Sequence, residues 1–254
     1  MTEVEAWFGS GARMNSVDTG SAALVMTSPP YFQPDIQDDL LAGVSSPVDL
    51  DRIAEGVLRY AWSLRPVFEE CARVLMPGAR LVMQTRDVRL RHRLVAVEGA
   101  HRQLAEAVGL HLFTRHLWRP SHVTLARWRI ARALRSDFGP MPVDPEVFLV
   151  FVKPGLARPG EPSPADLELL ARDICVTTQG RIPASHRFQA PVPMLRALIR
   201  THSRVGDLVV DPFMGGGTAL RVALELGRRA QGWEIDPQAL ALARINLGLE
   251  PVSE

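Results

Sequence analysis

The chain has 254 residues, of which 46% are hydrophobic and 22% charged, so it can bury roughly three quarters of its unfolded surface. This composition excludes an intrinsically disordered protein, and two cysteines, Cys71 and Cys175, are too few for a disulfide scaffold. The acidic start does not read as a signal peptide, and no apolar run approaches the roughly 20 residues of a membrane span. We therefore expect a soluble cytoplasmic protein with no membrane partner.

Charge is unevenly distributed along the chain. The net charge of +1 would by itself argue against a nucleic-acid partner. Residues 86–135, however, hold eleven arginines and three acidic residues, a net charge of +8, which leaves −7 for the remaining 204 residues. A basic stretch of this kind inside a mildly acidic body indicates a surface for a polyanion.

Short apolar runs bounded by glycine and proline alternate with segments of helical period, which predicts an α/β protein with a mostly parallel sheet and helices on both faces. In chain order, the strand candidates are residues 22–26, 80–84, 111–116, 147–152, 207–210 and 230–234. The helix candidates are residues 50–75, 90–108, 166–174, 192–203, 218–226 and 237–247. Asp236 before Pro237 predicts a helix N-cap, and Gly227 predicts the end of the preceding helix. Residues 154–165 are rich in proline and glycine and predict a linker or surface loop.

A first motif, Thr-Ser-Pro-Pro-Tyr-Phe at residues 27–32, directly follows a strand candidate. Ligands bind at the carboxyl ends of strands in a parallel sheet. Pro29 and Pro30 fix φ and remove two N–H donors, so carbonyl acceptors beside Ser28 suit a donor with two hydrogens, such as an exocyclic amino group. Tyr31 offers a flat face to a base that has left its stack. The alternative is a Pro-Pro turn with an aromatic side chain packed beneath it.

A second motif, Asp-Pro-Phe-Met-Gly-Gly-Gly-Thr at residues 211–218, leads from a strand candidate into a helix candidate. Three glycines before a helix expose bare backbone and a helix N-terminus to an anionic group. No lysine completes a P-loop, and Leu220 stands where a dinucleotide fingerprint needs its third glycine, which leaves a nucleoside that carries a carboxylate. Glu234, 19 residues after Gly215, can accept hydrogen bonds from both ribose hydroxyls. Purely structural glycines at a βα turn are the alternative.

Together the two motifs resemble the permuted β-group of S-adenosylmethionine-dependent DNA amino-methyltransferases, and the resemblance covers nearly the whole chain. It implies a Rossmann-like methyltransferase fold with circularly permuted motif order, in which residues 4–8 supply the third strand of the cofactor half. It also implies S-adenosyl-L-methionine as cofactor, double-stranded DNA as substrate and no metal. Serine before the two prolines is typical of members that act on cytosine N4, whereas aspartate or asparagine there is typical of adenine-N6 enzymes.

The same resemblance assigns the site residues. The catalytic residues are Ser28, Pro29, Pro30 and Tyr31. The cofactor-binding residues are Ser10, Thr27, Asp211, Pro212, Phe213, Gly215, Gly217, Thr218, Glu234 and Ile235. In Gly9-Ser10-Gly11 the sequence departs from the family, because an aspartate that accepts the adenine amino group usually stands where Ser10 does.

The basic stretch is the expected footprint for DNA whose target base is flipped into the pocket. The expected DNA-binding residues are Arg86, Arg89, Arg91, Arg93, Arg115 and Arg119. For the later arginines, at residues 127–135, the solvated face of a helix is an equal alternative.

We expect one domain over residues 1–254. It comprises a catalytic half at 1–153 with a basic insertion at about 111–142, a linker and short recognition region at 154–190, and a cofactor-binding half at 191–254. Because the recognition region is short, the DNA sequence would be recognised by the insertion or by a second subunit, so a homodimer is possible. A cognate restriction endonuclease is a second possible partner. Adenine-N6 transfer and a catalytically weak DNA-binding protein on the same fold are the alternative functions. The expected location is the nucleoid of a prokaryote or the setting of a phage infection.

Overall fold

The computed structural model describes residues 4–30, 47–90, 93–120, 146–177 and 190–249. The strands in these ranges are β1 (Val4–Phe8), β2 (Ala22–Thr27), β3 (Leu75–Thr85), β4 (Val88–Leu90), β5 (Arg93–Val95), β6 (His111–Pro120), β7 (Glu146–Val152), β8 (Ile174–Thr177), β9 (Leu208–Asp211) and β10 (Arg229–Glu234). The helices are α1 (Pro47–Ser63), α2 (Arg65–Val74), α3 (Val97–Ala107), α4 (Pro164–Leu170), α5 (Val192–His202), α6 (Thr218–Glu225) and α7 (Pro237–Leu247). Within these ranges, no helix has both the length and the apolar character needed to cross a bilayer.

Eight of these strands form one sheet in the order β1-β10-β9-β2-β3-β7-β6-β8. Strand β7 runs antiparallel to its neighbours β3 and β6, and the other pairings in the sheet are parallel. Strand β1 pairs with β10, which confirms that residues 4–8 add a strand beside the glycine motif. The expected α/β, Rossmann-like architecture is therefore confirmed.

The core is divided by the sheet, because successive side chains of a strand point to opposite faces. On one face, Val25 and Leu81 pack in a cluster with Phe68 of α2 and Leu104 of α3. On the other face, the neighbouring sheet residues pack in a second cluster with α5, α6 and α7, including Met26, Val82, Phe148, Leu195, Leu220 and Ala243. Helices thus cover both faces, and the carboxyl ends of the parallel strands are left at one edge for a site.

Three helix predictions need correction. The helix predicted at 50–75 is two helices that meet at Leu64, because Pro66 begins a new first turn. The first part of the helix predicted at 90–108 is wrong, since Val88–Leu90 and Arg93–Val95 pair as an antiparallel hairpin before α3 begins. The helix predicted at 166–174 ends at Leu170, and residues from Ile174 onward form β8 beside β6.

Other predicted ends are confirmed. Asp236 caps α7, its side chain accepting a hydrogen bond from Gln238 N at 2.9 Å. Gly227 follows α6 with a φ of +78°, a conformation that glycine adopts without strain. Cys71 and Cys175 are buried free thiols. The part of the basic insertion at residues 121–142 lies outside the described residues, and its first strand is β6.

Lys153 closes the carboxyl end of α2. Its ammonium donates to the carbonyl oxygens of Ala72 and Leu75, each at 2.7 Å, groups that the helix itself leaves without partners. We expect Lys153→Met to lower the free energy of unfolding by about 1 to 2 kcal/mol, because hydrogen bonds to a charged donor are lost at a partly buried site. Urea denaturation measures this, with Lys153→Arg as the variant that keeps the charge. An unfolding free energy unchanged in Lys153→Met would contradict the role.

Candidate active site

A cavity of about 370 Å³ opens at the carboxyl ends of β2, β9 and β10. It is lined by three short segments that follow those strands and by the turn after β1. The sequence-predicted residues on its wall are Ser10, Thr27, Ser28, Pro29, Pro30, Asp211, Pro212, Phe213, Gly215, Thr218, Glu234 and Ile235. Strands β2 and β9 are neighbours in the sheet, so two motifs far apart in the sequence form one cavity.

Two predicted residues stand apart from this cavity wall. Tyr31 lies outside the described residues. Gly217 has a φ of +76°, and a Cβ atom there would approach Ala243 Cβ to 3.2 Å, so this glycine allows α6 to begin close against α7.

Asp211 joins the two motifs. Its Oδ1 accepts hydrogen bonds from Thr27 Oγ1 at 2.7 Å and from Phe213 N at 3.0 Å. Asp211 is 4% exposed, and this burial raises the pKa of its carboxyl to about 7, with a further increase from the nearby Glu234 that the two hydrogen bonds oppose. A carboxyl group at this position can take up or release a proton near neutral pH.

Glu234 fastens the glycine motif to the end of β10. Its Oε2 accepts from Gly215 N at 2.9 Å, and its Oε1 accepts from Ile235 N at 2.8 Å and Asp236 N at 2.9 Å. Each carboxylate oxygen has more than one acceptor direction. Oε1 already accepts two hydrogen bonds, whereas Oε2 accepts one and keeps an acceptor direction for a ligand in the cavity.

The turn after β1 closes the cavity beside Pro212. A Cβ atom at Gly11 would lie 2.5 Å from Pro212 Cβ, so only glycine permits this approach of the two loops. Ser10 is exposed on the cavity wall, and its hydroxyl accepts from Ala12 N at 3.2 Å. The family resemblance leads one to expect a carboxylate at this position. The Ser10 hydroxyl is smaller than a carboxylate and carries no charge.

Two residues of the site were missed from the sequence. Buried Asn246 of α7 donates from Nδ2 to Gly216 O at 2.8 Å and so holds the glycine motif from behind. Gln84 lines the cavity at the end of β3. The signal for Gln84 was a polar side chain directly after the apolar run at residues 81–83, whereas nothing local in the sequence distinguishes Asn246.

The basic residues lie partly at the same edge of the sheet. Arg86 follows β3 directly and is 3.9 Å from Glu146, with its side chain 28% exposed. Arg115 is 3.8 Å from Glu98 and 63% exposed. Arg119 stands near the carboxyl end of β6, and its Nε is buried with no hydrogen-bond partner among the described residues. The backbones of Arg89 and Arg93 belong to the β4-β5 hairpin, and Arg91 lies outside the described residues.

A family model and full-length relatives match this chain. The model of the N6_N4_Mtase family, described as DNA methylase, matches residues 163–244, which contain the glycine motif and Glu234. The chain is 28% identical to the type II methyltransferase M.MjaI of Methanocaldococcus jannaschii over 96% of this chain and 90% of that protein. It is 25% identical to the type II methyltransferase M.MthZI of Methanothermobacter thermautotrophicus over 98% of this chain and 78% of that protein.

Solved structures share the fold. A DNA modification methylase of Thermus thermophilus, solved in complex with S-adenosyl-L-methionine, matches with a TM-score of 0.70 and 26% identity over 96% of this chain and 93% of that chain. The cytosine-N4-specific PvuII DNA methyltransferase matches with a TM-score of 0.72 and 16% identity over 100% of this chain and 89% of that chain. Together these findings support a DNA methyltransferase of the N4/N6 class.

Proposed function

We propose that this protein is a site-specific DNA methyltransferase that moves a methyl group from S-adenosyl-L-methionine to the N4 amino group of a flipped cytosine. The observation that carries the proposal is the hydrogen bond from Thr27 Oγ1 to Asp211 Oδ1 at 2.7 Å. It joins the Ser-Pro-Pro segment to the glycine motif, so that an acceptor-rich turn and a nucleoside-binding loop share one cavity. The permuted order of the motifs and a single domain over residues 1–254 are parts of the same proposal.

The cavity suits the cofactor in size and chemistry. Its volume of about 370 Å³ lies within the usual range for small-molecule sites. Glu234 would hold the ribose hydroxyls, Ser10 the adenine, and the backbone of the glycine motif and helix α6 the carboxylate end. Bound there, S-adenosyl-L-methionine supplies an electrophilic methyl group on a positively charged sulfur.

The catalytic residues prepare the amino nitrogen of the base. The N4 lone pair of cytosine is delocalised into the ring and is a poor nucleophile. Hydrogen bonds from the amino group to the Ser28 side chain and the Pro29 carbonyl would make the nitrogen pyramidal and orient its lone pair for in-line attack. Tyr31 would stack on the flipped base. These roles need neither a metal nor a nucleophilic side chain.

Each of the two alternative functions depends on the role of one residue. Adenine-N6 transfer follows if Ser28 does not select between the two amino bases. A catalytically weak DNA-binding protein follows if Ser10 in place of the usual aspartate leaves the cofactor too weakly held. Half-buried Arg86, which lies beside Pro30, and exposed Arg115 would contact the phosphates of double-stranded DNA in each case. A homodimer and a partner endonuclease are further proposals.

Tritium transfer from labelled S-adenosyl-L-methionine to plasmid DNA tests the proposal. The purified protein is incubated with both, and acid-precipitable label is counted against time. We expect label in DNA that increases with protein concentration and stops when the sites are full. DNA that binds the protein in a gel-shift assay but acquires no label would instead favour the DNA-binding alternative.

Cofactor affinity is expected to depend on pH through Asp211. The pKa of about 7 means that the carboxyl is mostly protonated below pH 7 in the free protein. A positively charged sulfonium favours the ionised form, so binding must release a proton at low pH. We expect the affinity for S-adenosyl-L-methionine to fall by up to about tenfold for each pH unit below 7 and to be constant above about pH 8.

Isothermal titration calorimetry from pH 5.5 to 8.5 measures this dependence. S-adenosyl-L-homocysteine is the matched control, because it keeps the amino and carboxylate groups but lacks the positive charge. Asp211→Asn is expected to remove the difference between the two ligands. Parallel pH profiles for both ligands in the unaltered protein would show that Asp211 does not sense the sulfonium charge.

A further inference from the structure

Gln84 lies beside the catalytic segment on the next strand. Strands β2 and β3 are parallel, with Thr27 opposite Met83, so Gln84 stands next to Ser28 one residue further along each strand. Gln84 is 5% exposed and lines the same cavity as Ser28, Pro29 and Pro30. It is therefore close enough to contact whatever the catalytic segment binds.

The orientation of the Gln84 amide is fixed by Glu146. Gln84 Nε2 donates to Glu146 Oε2, and a carboxylate can only accept, so the nitrogen must face Glu146 and the oxygen must face away. Arg86 Nη1 lies 3.9 Å from the other carboxylate oxygen of Glu146 and holds that side chain from the opposite side. Glu146 and Arg86 are thus positioning residues for the amide.

Gln84 Oε1 is buried and has no hydrogen-bond partner among the described residues. Buried acceptors without a donor are rare in native proteins and call for an explanation. At the wall of a binding cavity, the missing donor is supplied by the ligand. The required ligand group is an N–H or O–H.

The position of Gln84 in the sheet indicates which ligand this is. The sheet order β10-β9-β2-β3 places the catalytic segment between Gln84 and the glycine motif. The cofactor side of the cavity is formed by β9 and β10, whereas Gln84 is on the opposite side of Ser28. The donor is therefore expected on the target base rather than on the cofactor.

We propose that Gln84 Oε1 accepts one hydrogen of the exocyclic amino group of the target base. The Pro29 carbonyl takes one hydrogen of that group, and Gln84 Oε1 shares the other hydrogen with the Ser28 side chain in a bifurcated bond. Uracil and thymine have a carbonyl oxygen at the same place. That oxygen would face the acceptor oxygens of Gln84 and Pro29 with no hydrogen between them, so these bases would be rejected. Gln84 is thus a specificity residue for amino-bearing bases. This inference rests on the proposed function.

A binding comparison on matched DNA duplexes tests it. One duplex carries, in unmethylated form, the sequence that the protein methylates in the plasmid. Its counterpart has an amino-free base at the target position, which is 2-pyrimidinone in place of cytosine or purine in place of adenine. Affinities are measured by fluorescence anisotropy with S-adenosyl-L-homocysteine present. An amino-free base also pairs more weakly and flips more easily, so the quantity compared between proteins is the ratio of the two affinities, amino-bearing over amino-free. We expect Gln84→Leu to lower that ratio about fivefold relative to the unaltered protein, the effect of one lost hydrogen bond.

The controls separate recognition from folding. Gln103→Leu, at an exposed glutamine of α3, is expected to keep the ratio, and Glu146→Gln, which frees the amide to rotate, is expected to reduce it in part. The cofactor affinity of Gln84→Leu should stay within about twofold of the unaltered protein, since its cofactor side is intact.

A ratio of the two affinities that is unchanged in both Gln84→Leu and Glu146→Gln would overturn the inference. An unaltered protein that transfers no methyl group to any DNA would overturn the proposed function, and the inference with it.

Discussion

Replacing Ser28 with alanine is expected to lower kcat for methyl transfer by about 10²-fold to 10³-fold, the effect of removing one preorganised hydrogen-bond partner from a transition state. Ser28 lines the cavity at the end of β2, where the Pro29 carbonyl is the adjacent acceptor. Loss of the hydroxyl leaves the amino nitrogen conjugated with its ring and badly oriented for attack. The glycine motif, the proposed cofactor site, is untouched by this change.

Single-turnover transfer of labelled methyl groups to saturating plasmid measures the Ser28→Ala effect, and calorimetry measures its cofactor affinity. Ser21→Ala is the matched control, because that hydroxyl lies at the opposite end of β2 and donates to Asp18 O at 2.7 Å. We expect Ser21→Ala to keep the unaltered rate and both variants to keep cofactor affinity within about twofold. A Ser28→Ala rate within about threefold of the unaltered protein would remove Ser28 from the catalytic residues.

Replacing Glu234 with alanine is expected to weaken S-adenosyl-L-methionine binding by about 1 to 3 kcal/mol, roughly tenfold to a few hundredfold. The carboxylate holds the backbone amides of Gly215, Ile235 and Asp236 at 2.8 to 2.9 Å, and we propose that it also accepts from the ribose hydroxyls. Its loss removes ligand hydrogen bonds and loosens the loop that contacts the ligand.

The comparison variant for Glu234→Ala is at Asp236, an acidic residue two positions further along the chain. Asp236 accepts a hydrogen bond from Gln238 N at 2.9 Å as the cap of α7. Asp236 also lines the cavity, so Asp236→Ala should lower the free energy of unfolding by about 1 kcal/mol and weaken cofactor binding by less than Glu234→Ala does. Calorimetry on both variants, with thermal unfolding as the stability check, separates the two effects. Cofactor affinity unaltered by Glu234→Ala would contradict the ribose assignment.

Much of the fold could be predicted because its strands are marked by local signals. The strands ending in Thr27 and Asp211 are apolar runs closed by proline, and Asp236-Pro237 marks a helix start. The errors fall where such signals are weak or were overlooked. Strand β8 is four residues long and follows a turn without glycine or proline, so the helix predicted at 166–174 had no local stop signal before the strand. Pro66 was the overlooked signal for the break between α1 and α2.

The site was predictable where its motifs are contiguous in sequence and unpredictable where it depends on contacts between distant segments. The Ser-Pro-Pro segment and the glycine motif each have a recognisable local pattern. The contacts of Gln84 with Glu146 and of Asn246 with Gly216 join residues 62 and 30 positions apart. Such pairs form only when β3 meets β7 and α7 packs behind the glycine motif.

The most direct measurement is the identity of the methylated nucleoside. Plasmid DNA incubated with the protein and labelled S-adenosyl-L-methionine is digested to nucleosides, which are separated by chromatography and identified by mass. Because serine before the two prolines is typical of cytosine-N4 enzymes, we expect label in N4-methylcytosine. Label in N6-methyladenine would contradict the cytosine assignment, and label-free DNA would contradict methyl transfer itself.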